Sequence, residues 1–309
     1  MRNIKIIGCG AALPEITVKF GDNIRYRMTN GQTLLDLIER AVAQALSDAG
    51  VTINDIDLIL GGTATPLQGI PCNAALVHER IAKGSSIPAF DINSSCTSFI
   101  TAFDMASYLI DAGRYKTILI FSGDTASAAL NPNQKESFEL FSDAAAAFVV
   151  TRGNGDSGVI GAKQCTYSEG VHDTEIRGGC GLLPSFALTD KNREDYYFDM
   201  KGVRVLKLTA KKVPGFLDDF LRETGITLND VDMFIPHQAS KALSLIMKKL
   251  GIPEDKYIDH VRDWGNMISA AVPMALYTAI NENRIKRGDK VVMFGTAAGL
   301  TINILLMQY

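Results

Sequence analysis

Cys96 lies where the sequence could activate a thiol as a nucleophile. The segment PAFDINSSC, residues 88 to 96, predicts a strand, and TSFITAFDMASYLIDAG, residues 97 to 113, predicts the amphipathic helix after it. Unpaired amides and the helix dipole favour a thiolate at such a helix start, so we expect the pKa of Cys96 to lie below the usual value of about 8.5. The alternative, from position alone, is a buried structural cysteine.

A histidine and an asparagine in the second half of the chain could serve this nucleophile. The segment IPHQA, residues 235 to 239, places His237 directly after an apolar strand. The segment GNMISAAVPMALYTAI, residues 265 to 280, places Asn266 in a glycine turn before a helix of small residues. Both side chains can donate an N–H to an oxygen that gains negative charge. A lone histidine after a strand is also common as a core residue, so position alone leaves that alternative open.

An internal repeat relates these residues to one another. DAGVTINDIDLI, residues 48 to 59, matches ETGITLNDVDMF, residues 223 to 234, at an offset of 175. YKTILIFSG, residues 115 to 123, aligns with DKVVMFGTA, residues 289 to 297, at an offset of 174. Helix, turn and strand recur in any α/β protein, but two matches at nearly one offset favour a duplication.

The duplication predicts one site from residues far apart in sequence. His237 falls opposite Gly62, at the end of the matching strand. The Cys96 turn, shifted by 174 residues, falls on Ala270, so Asn266 belongs near Cys96 if the two halves pair symmetrically. We therefore predict Cys96, His237 and Asn266 as a catalytic trio.

Apolar strands alternate with helices through both halves, which predicts an α/β fold. The strands IDLILGG, KTILIFSG, VDMFIP and KVVMFG contain few polar interruptions, as expected for strands buried on both faces. Two similar halves, residues 1–160 and 161–309, would pack into one body with a pseudo-twofold axis. With 309 residues, 47% of them hydrophobic, the chain can bury a substantial core.

Composition argues against several classes of protein. A net charge of −3 gives no reason to expect nucleic-acid binding. No apolar run approaches the roughly 18 to 20 residues that span a bilayer, and the start reads as a strand rather than a signal peptide, so we expect a cytoplasmic protein without membrane contact. The five cysteines are scattered without a CxxC pair, which predicts neither a disulfide framework nor a metal site.

Seven segments along the chain carry a family resemblance: IIGCGAALPE, DIDLILGGTATP, DINSSCTSF, IPHQA, KKLGI, WGNMISAAVP and GTAAGLT. Through them the chain resembles the β-ketoacyl-ACP synthase III branch of the thiolase-like condensing enzymes over nearly its whole length. The resemblance implies a thiolase-like fold with a layered αβαβα body.

The resemblance also implies a reaction. Cys96 matches the residue that accepts an acyl group, and His237 and Asn266 match the pair that handles the second substrate in a decarboxylative Claisen condensation with a malonyl- or β-ketoacyl-type thioester. The backbone N–H groups of Cys96 and Ala298 match the oxyanion hole. No metal or redox cofactor is implied; coenzyme A or the phosphopantetheine of an acyl carrier protein carries the substrates.

Binding and assembly follow from the same resemblance. Lys207, Lys248 and Lys249 match basic positions that face the carrier. The loop TPLQGIPCN, residues 65 to 73, matches a segment that reaches into the acyl pocket of a neighbouring subunit, so Ile70 is predicted to set acyl length. The resemblance implies a homodimer formed through the edge of the first-half sheet, with a different partner subunit as the alternative.

Several positions depart from the family pattern. The tryptophan and Arg-Thr-Gly segment that bind coenzyme A are missing from the start, where RYRMTNG, residues 25 to 31, is the nearest remnant. The single tryptophan is Trp264, while Ala242 replaces an arginine and Thr296 replaces a phenylalanine. We therefore expect a specialised member, serving fatty-acid or polyketide-like secondary metabolism, with an altered donor or carrier.

Two other functions are compatible with the same fold. The first is acyl transfer to an oxygen or nitrogen nucleophile, which needs a base but no decarboxylation; an acidic residue in place of Asn266 would have favoured it. The second is a non-catalytic partner of an active paralogue. The presence of Cys96, His237 and Asn266 together argues against this second function.

Overall fold

Two five-stranded β-sheets form the frame of the protein, in a computed structural model that describes residues 1–29 and 31–309. The first half contributes β1 (Arg2–Asn3), β2 (Lys5–Ala12), β3 (Thr17–Phe20), β4 (Asn23–Tyr26), β5 (Leu58–Gly61), β6 (Ala89–Asp91), β7 (Thr117–Asp124) and β8 (Ala144–Thr151). The second half contributes β9 (Gly158–Thr166), β10 (Thr174–Glu175), β11 (Asp199–Met200), β12 (Met233–Pro236), β13 (Lys290–Ala297) and β14 (Thr301–Gln308). The sheet orders are β2-β8-β7-β5-β6 and β1-β9-β14-β13-β12.

The two sheets repeat one topology. β5 runs parallel to β7 as β12 runs parallel to β13, and the next strand, β8 or β14, is antiparallel in both sheets. Leu58 pairs with Ile118 in the first sheet, and Met233 pairs with Val291 in the second. The offset of 175 is therefore confirmed for β5 and β12. The predicted offset of 174 for β7 and β13 is wrong by one residue, because the connection between the paired strands is two residues shorter in the second half.

Within the described residues, seven helices accompany these strands: α1 (Leu34–Ala49), α2 (Asn73–Ile81), α3 (Ser98–Asp111), α4 (Lys135–Phe138), α5 (Gly202–Thr224), α6 (Leu243–Lys249) and α7 (Ala271–Asn281). α1 begins at a capping box formed by Thr33 and Asp36. α1 and α5 end at Gly50 and Gly225, whose φ values of 65° and 68° turn the chain in the left-handed region that favours glycine. In both halves a short 3₁₀ turn then leads into the buried strand.

Packing sorts the helices into three layers around the two sheets. α3 and α7 lie between the sheets, where Phe99, Phe103 and Leu276 pack with strand residues of both halves. α1 and α2 cover the outer face of the first sheet, and α5 and α6 cover the outer face of the second. The resulting αβαβα order confirms the predicted thiolase-like fold class. The division of the chain at residues 160 and 161, which falls within β9, stays a prediction.

Three further observations concern the residues that the structure describes. None of their helices combines the length and the apolar character needed to cross a membrane. No group of three or more histidine, cysteine, aspartate or glutamate side chains among them is placed to hold a metal ion. All five cysteines are free thiols.

Candidate active site

Cys96 lies in a tight turn between β6 and α3. Ser95 has a φ of 54°, and its N–H donates to the Oδ1 atom of Asn93 at 2.8 Å. A positive φ is uncommon for a residue other than glycine and marks a constrained turn. The backbone N–H groups of Cys96 and Ala298 lie near enough to the Sγ atom of Cys96 to favour its thiolate form. The turn therefore holds the thiol against one amide from each half of the chain.

Burial has a larger effect on the pKa of the Cys96 thiol than the amide groups at the helix start have. Burial, followed by the Asp124 carboxyl, raises the pKa of the thiol to about 12, and the two amide donors offset this only in part. The expected lowering of this pKa is therefore wrong. Removing a thiolate from water costs more free energy than the hydrogen bonds from amide donors at a helix start recover. The thiol is protonated at neutral pH.

His237 begins the loop after β12. Its backbone N–H donates to the carbonyl oxygen of Phe294 at 2.7 Å, and Gly62 makes the same contact with Phe121 at 2.8 Å after β5. This shared hydrogen bond confirms the predicted correspondence between His237 and Gly62.

The His237 side chain lies near the Cys96 turn, with Gly295 between His237 and Thr97. A Cβ atom on Gly295 would lie 2.9 Å from the Cβ of His237 and 3.1 Å from Cγ2 of Thr97, so only a glycine lets these two residues approach. The Nδ1 atom of His237 is buried and finds no hydrogen-bond partner in the described part of the chain. Burial lowers the pKa of His237 to about 4, so the imidazole is neutral at physiological pH and has one N–H to donate.

Asn266 lies in a turn of the same geometry as the Cys96 turn. Its backbone N–H donates to the carbonyl oxygen of Leu140 at 2.9 Å. Its Oδ1 atom accepts the N–H of Ile268, whose φ is 51°, at 2.8 Å. That contact leaves Nδ2 as the donor end, 3.5 Å from the carbonyl oxygen of Ala239, two residues after His237. The structure thus gathers Asn266, His237 and the Cys96 turn in one region.

The two turns correspond at an offset of 173 residues. In each, an asparagine Oδ1 atom accepts the N–H of a positive-φ residue two positions later. Cys96 therefore corresponds to Ser269, and the prediction of Ala270 is wrong by one position. The error has the same origin as the one at β7 and β13, namely the shorter connection in the second half.

Asp124, which the sequence analysis missed, links the loop after β5 to the Asn266 turn. Its fully buried carboxylate accepts hydrogen bonds from the N–H groups of Ala64, Thr65 and Ser269, and from the hydroxyls of Thr65 and Ser269. Burial raises the pKa of Asp124 despite these donors. The available signal was an acidic residue at the end of the apolar strand KTILIFSGD, where a charge is unexpected.

Arg25 has a structural role that differs from the one predicted for its segment. The segment RYRMTNG, described apart from Asn30, was expected to be a remnant of a coenzyme A site. Arg25 is instead fully buried, and its guanidinium donates to the carbonyl oxygens of Glu139 at 2.8 Å and Arg262 at 3.0 Å. A Cβ atom on Gly265 would lie 2.7 Å from the Cδ of Arg25. Arg25 therefore supports the turn that carries Asn266.

The residues predicted to bind the acyl chain and the carrier lie at the surface. Ile70, in the loop before α2, is 88% exposed. Lys207 on α5 is exposed, as are Lys248 and Lys249 in the last turn of α6. Both helices also line a cavity beside His237. The roles of these four residues stay predictions.

Comparison with known proteins gives two matching family models. Residues 90–168 match the model of 3-oxoacyl-[acyl-carrier-protein] synthase III, and residues 221–309 match the model of its C-terminal part. These two matches together cover more than half of the chain.

Curated relatives and solved structures agree with these models. The chain is 32% identical to a β-ketoacyl-[acyl-carrier-protein] synthase III of Clostridium perfringens, with all of both chains aligned, and 30% identical to that of Aquifex aeolicus, with 99% of each aligned. The crystal structure of the 3-oxoacyl-[acyl-carrier-protein] synthase III of Aquifex aeolicus is similar with a TM-score of 0.87 and 27% identity, covering 99% of this chain and 100% of that one. The priming β-ketosynthase of the R1128 polyketide pathway shares the fold, with a TM-score of 0.89 at 21% identity over 99% of this chain and 96% of that one.

Proposed function

This chain belongs to the 3-oxoacyl-[acyl-carrier-protein] synthase III family of condensing enzymes, and from this premise we propose that it joins two acyl thioesters through an acyl group held on Cys96. Membership makes it an enzyme of the transferase class. The observation that carries the finer proposal is the gathering of a thiol, a neutral imidazole and a carboxamide in one region, with N–H groups of both halves directed at Sγ.

The first proposed step is thioester exchange. The Sγ atom of Cys96 attacks the donor carbonyl, a new S–C bond forms, and the carrier sulfur leaves with the thiol proton. The N–H groups of Cys96 and Ala298 donate to the oxyanion that forms on the way. Because burial raises the pKa of the thiol, we place the departure of the proton from Sγ within the attack rather than before it.

The second proposed step is decarboxylative condensation. The α-carbon of a malonyl-type thioester keeps the electron pair of the bond that releases carbon dioxide, and the enolate oxygen accepts hydrogen bonds from the N–H of His237 and from Nδ2 of Asn266. The α-carbon then attacks the acyl carbonyl on Cys96. A C–C bond forms, the C–S bond breaks, and the thiol is regenerated with a proton from solvent.

The proposal includes the carriers. Lys207, Lys248 and Lys249 are exposed on the two helices that flank the cavity beside His237. Cations so placed suit the phosphate of coenzyme A or phosphopantetheine and the acidic surface of a carrier protein. The two steps require no resident metal or redox cofactor. Five free thiols fit a reducing cytoplasm.

We also propose a homodimer as the working assembly. β6 forms one edge of the first sheet, and Phe90 in this strand is 40% exposed. An exposed edge strand with an apolar side chain is suited to pairing with a second copy. Ile70, on the same half, would then enter the acyl pocket of the partner copy.

Intact-protein mass spectrometry tests the proposed function. The protein is incubated with acyl-coenzyme A and acyl-carrier-protein thioesters of increasing chain length. A mass gain equal to the acyl group is expected in wild type and in Cys72→Ala, whose thiol is exposed, and no gain is expected in Cys96→Ala. Malonyl thioester labelled at its free carboxyl should then release labelled carbon dioxide together with loss of the acyl mass.

The other candidate functions predict different outcomes. Acyl transfer to an oxygen or nitrogen acceptor would discharge the acyl-enzyme without carbon dioxide. A non-catalytic partner would take up no acyl group from any donor. Either result would overturn the proposed condensation.

A further inference from the structure

A small cavity adjoins His237 on the outer side of the second sheet. It has a volume of about 40 Å³ and lies between α5, α6 and the ends of β12 and β13. Buried apolar side chains form much of its wall: Val213, Leu243, Met247 and Phe294. His237 and Thr296 also line it, and the short Thr296 side chain leaves the space open.

The cavity adjoins the part of the site that handles the second substrate. His237 and Gly295 line it, whereas Cys96 and Ala298 do not. A Cβ atom on Gly295 would lie close to both His237 and Thr97, so the cavity wall at Gly295 lies near the Cys96 turn. A substituent on the carbon that His237 helps to activate is therefore better placed to enter it than an acyl chain on Cys96.

Size and polarity restrict what the cavity can hold. A volume of about 40 Å³ equals about three water-sized spheres and is far below the roughly 150 Å³ that admits benzene. Among the described residues that line it, none carries a charge once His237 is neutral. Burying a charged group there would be unfavourable, while a short alkyl group would gain contacts. The fitting group is a branch of one or two carbons.

We propose that this cavity accepts an alkyl branch on the α-carbon of the second thioester, so that the enzyme condenses α-substituted malonyl thioesters. This inference rests on the proposed function and specifies its second substrate. Loss of carbon dioxide from a methylmalonyl thioester leaves the electron pair on a carbon that carries the methyl group. That carbon forms the C–C bond to the acyl group, the C–S bond to Cys96 breaks, and the product is a 2-methyl-3-oxoacyl thioester with one α-hydrogen.

Competition between malonyl and methylmalonyl thioesters tests the inference. Both are offered on coenzyme A and on carrier protein to enzyme that already holds an acyl group on Cys96. The readout is the ratio of kcat/KM for the methyl-branched substrate to that for the unbranched one. Two variants fill the cavity from opposite sides, Thr296→Phe from β13 and Val213→Leu from α5. Thr296→Ser retains the hydroxyl and the space.

The expected result is that wild type and Thr296→Ser accept the branched substrate at least as well as the unbranched one. Both filling variants should lower the ratio at least about tenfold, the effect of a lost methyl pocket. An unchanged ratio in both filling variants, or a wild type that rejects the branched substrate, would overturn the inference. If malonyl thioester also yields no carbon dioxide from the acylated enzyme, the proposed function has failed, and this inference fails with it.

Discussion

The Cys96 thiol interacts with the Asp124 carboxyl and with two backbone N–H groups. The carboxyl disfavours a thiolate and the amides favour it, but burial has the largest effect and keeps the sulfur protonated. A thiol of this kind reacts poorly with general electrophiles, because the thiolate is the reactive form. We infer that Cys96 gains its reactivity from a bound thioester placed between the amide donors.

Alkylation by iodoacetamide checks this view of Cys96. The rate at Cys96 is expected to rise about tenfold per pH unit from about pH 7 to about pH 10, because the thiolate fraction rises by that factor below a pKa of about 12. The exposed Cys72 serves as the internal reference for a thiol in contact with solvent. Peptide mass spectrometry follows both residues in one sample. A plateau for Cys96 below about pH 9 would contradict the raised pKa.

Sequence reasoning reached part of this site. The repeat predicted that Cys96, His237 and Asn266 lie close together, because backbone position alone determines which residues occupy corresponding places in the two halves. The repeat gave no indication of Asp124, whose hydrogen-bond partners Ala64 and Ser269 come from distant segments of the chain. It also could not give the protonation of the thiol, since this depends on how completely the folded chain excludes water.

At the scale of elements, two corresponding turns shape the site. Each places an asparagine side chain under a positive-φ residue at the start of a central helix. The Asn266 turn is additionally held from the side, because Gly265 packs against Leu140 and Arg25. Strain in such turns persists only where the surrounding structure determines them. We therefore expect the condensation step to depend more on the packing of Gly265 against Leu140 and Arg25 than on the backbone conformation of the turn.

The Gly265→Ala variant tests that support. The added Cβ atom would lie 2.2 Å from the carbonyl oxygen of Leu140, so the backbone must move and Asn266 with it. The condensation rate is expected to fall at least about a hundredfold, as for a small misplacement of a catalytic group, while acylation of Cys96 continues. Stopped-flow acylation and carbon dioxide release separate the two steps.

Gly113→Ala is the matched control for this variant. Gly113 has the same φ of 72° as Gly265, but nothing lies within 4 Å of its added Cβ atom. It should lose only the roughly 1 to 2 kcal/mol of a left-handed residue, measured by denaturant unfolding. Equal loss of condensation in both variants would assign the effect to backbone conformation rather than to contact with Leu140.

The sequence repeat predicted which elements correspond, but not their register throughout. Glycine, threonine and aspartate at fixed spacing identify β5 with β12, because a turn tolerates few alternatives. The strands β7 and β13 are apolar throughout, and an apolar run matches itself almost as well after a shift of one residue. Only the pairing of Leu58 with Ile118 and of Met233 with Val291 fixes that register.

At the scale of the whole molecule, the duplication explains why one site needs both halves. The first half supplies the thiol and one amide donor, and the second half supplies the imidazole, the carboxamide and the other amide. α3 and α7 lie side by side between the sheets, so the turns that precede them meet near the pseudo-twofold axis. Neither half alone assembles this set of groups.

Among the strands that the structure describes, β6 has no counterpart in the second sheet and forms an edge of the first sheet, which is the proposed dimer contact. Phe90→Lys places a charge in the proposed dimer contact, so the mass measured by light scattering is expected to halve at equal concentration. Leu245→Lys is the control, because Leu245 is also apolar and is 54% exposed but lies on α6 in the second half. It should leave the mass unchanged. The Phe90 variant should also lose discrimination among acyl donors in the mass assay, because Ile70 would no longer enter a partner pocket. A Phe90→Lys protein that keeps the mass and donor preference of wild type would place the assembly contact elsewhere on the surface.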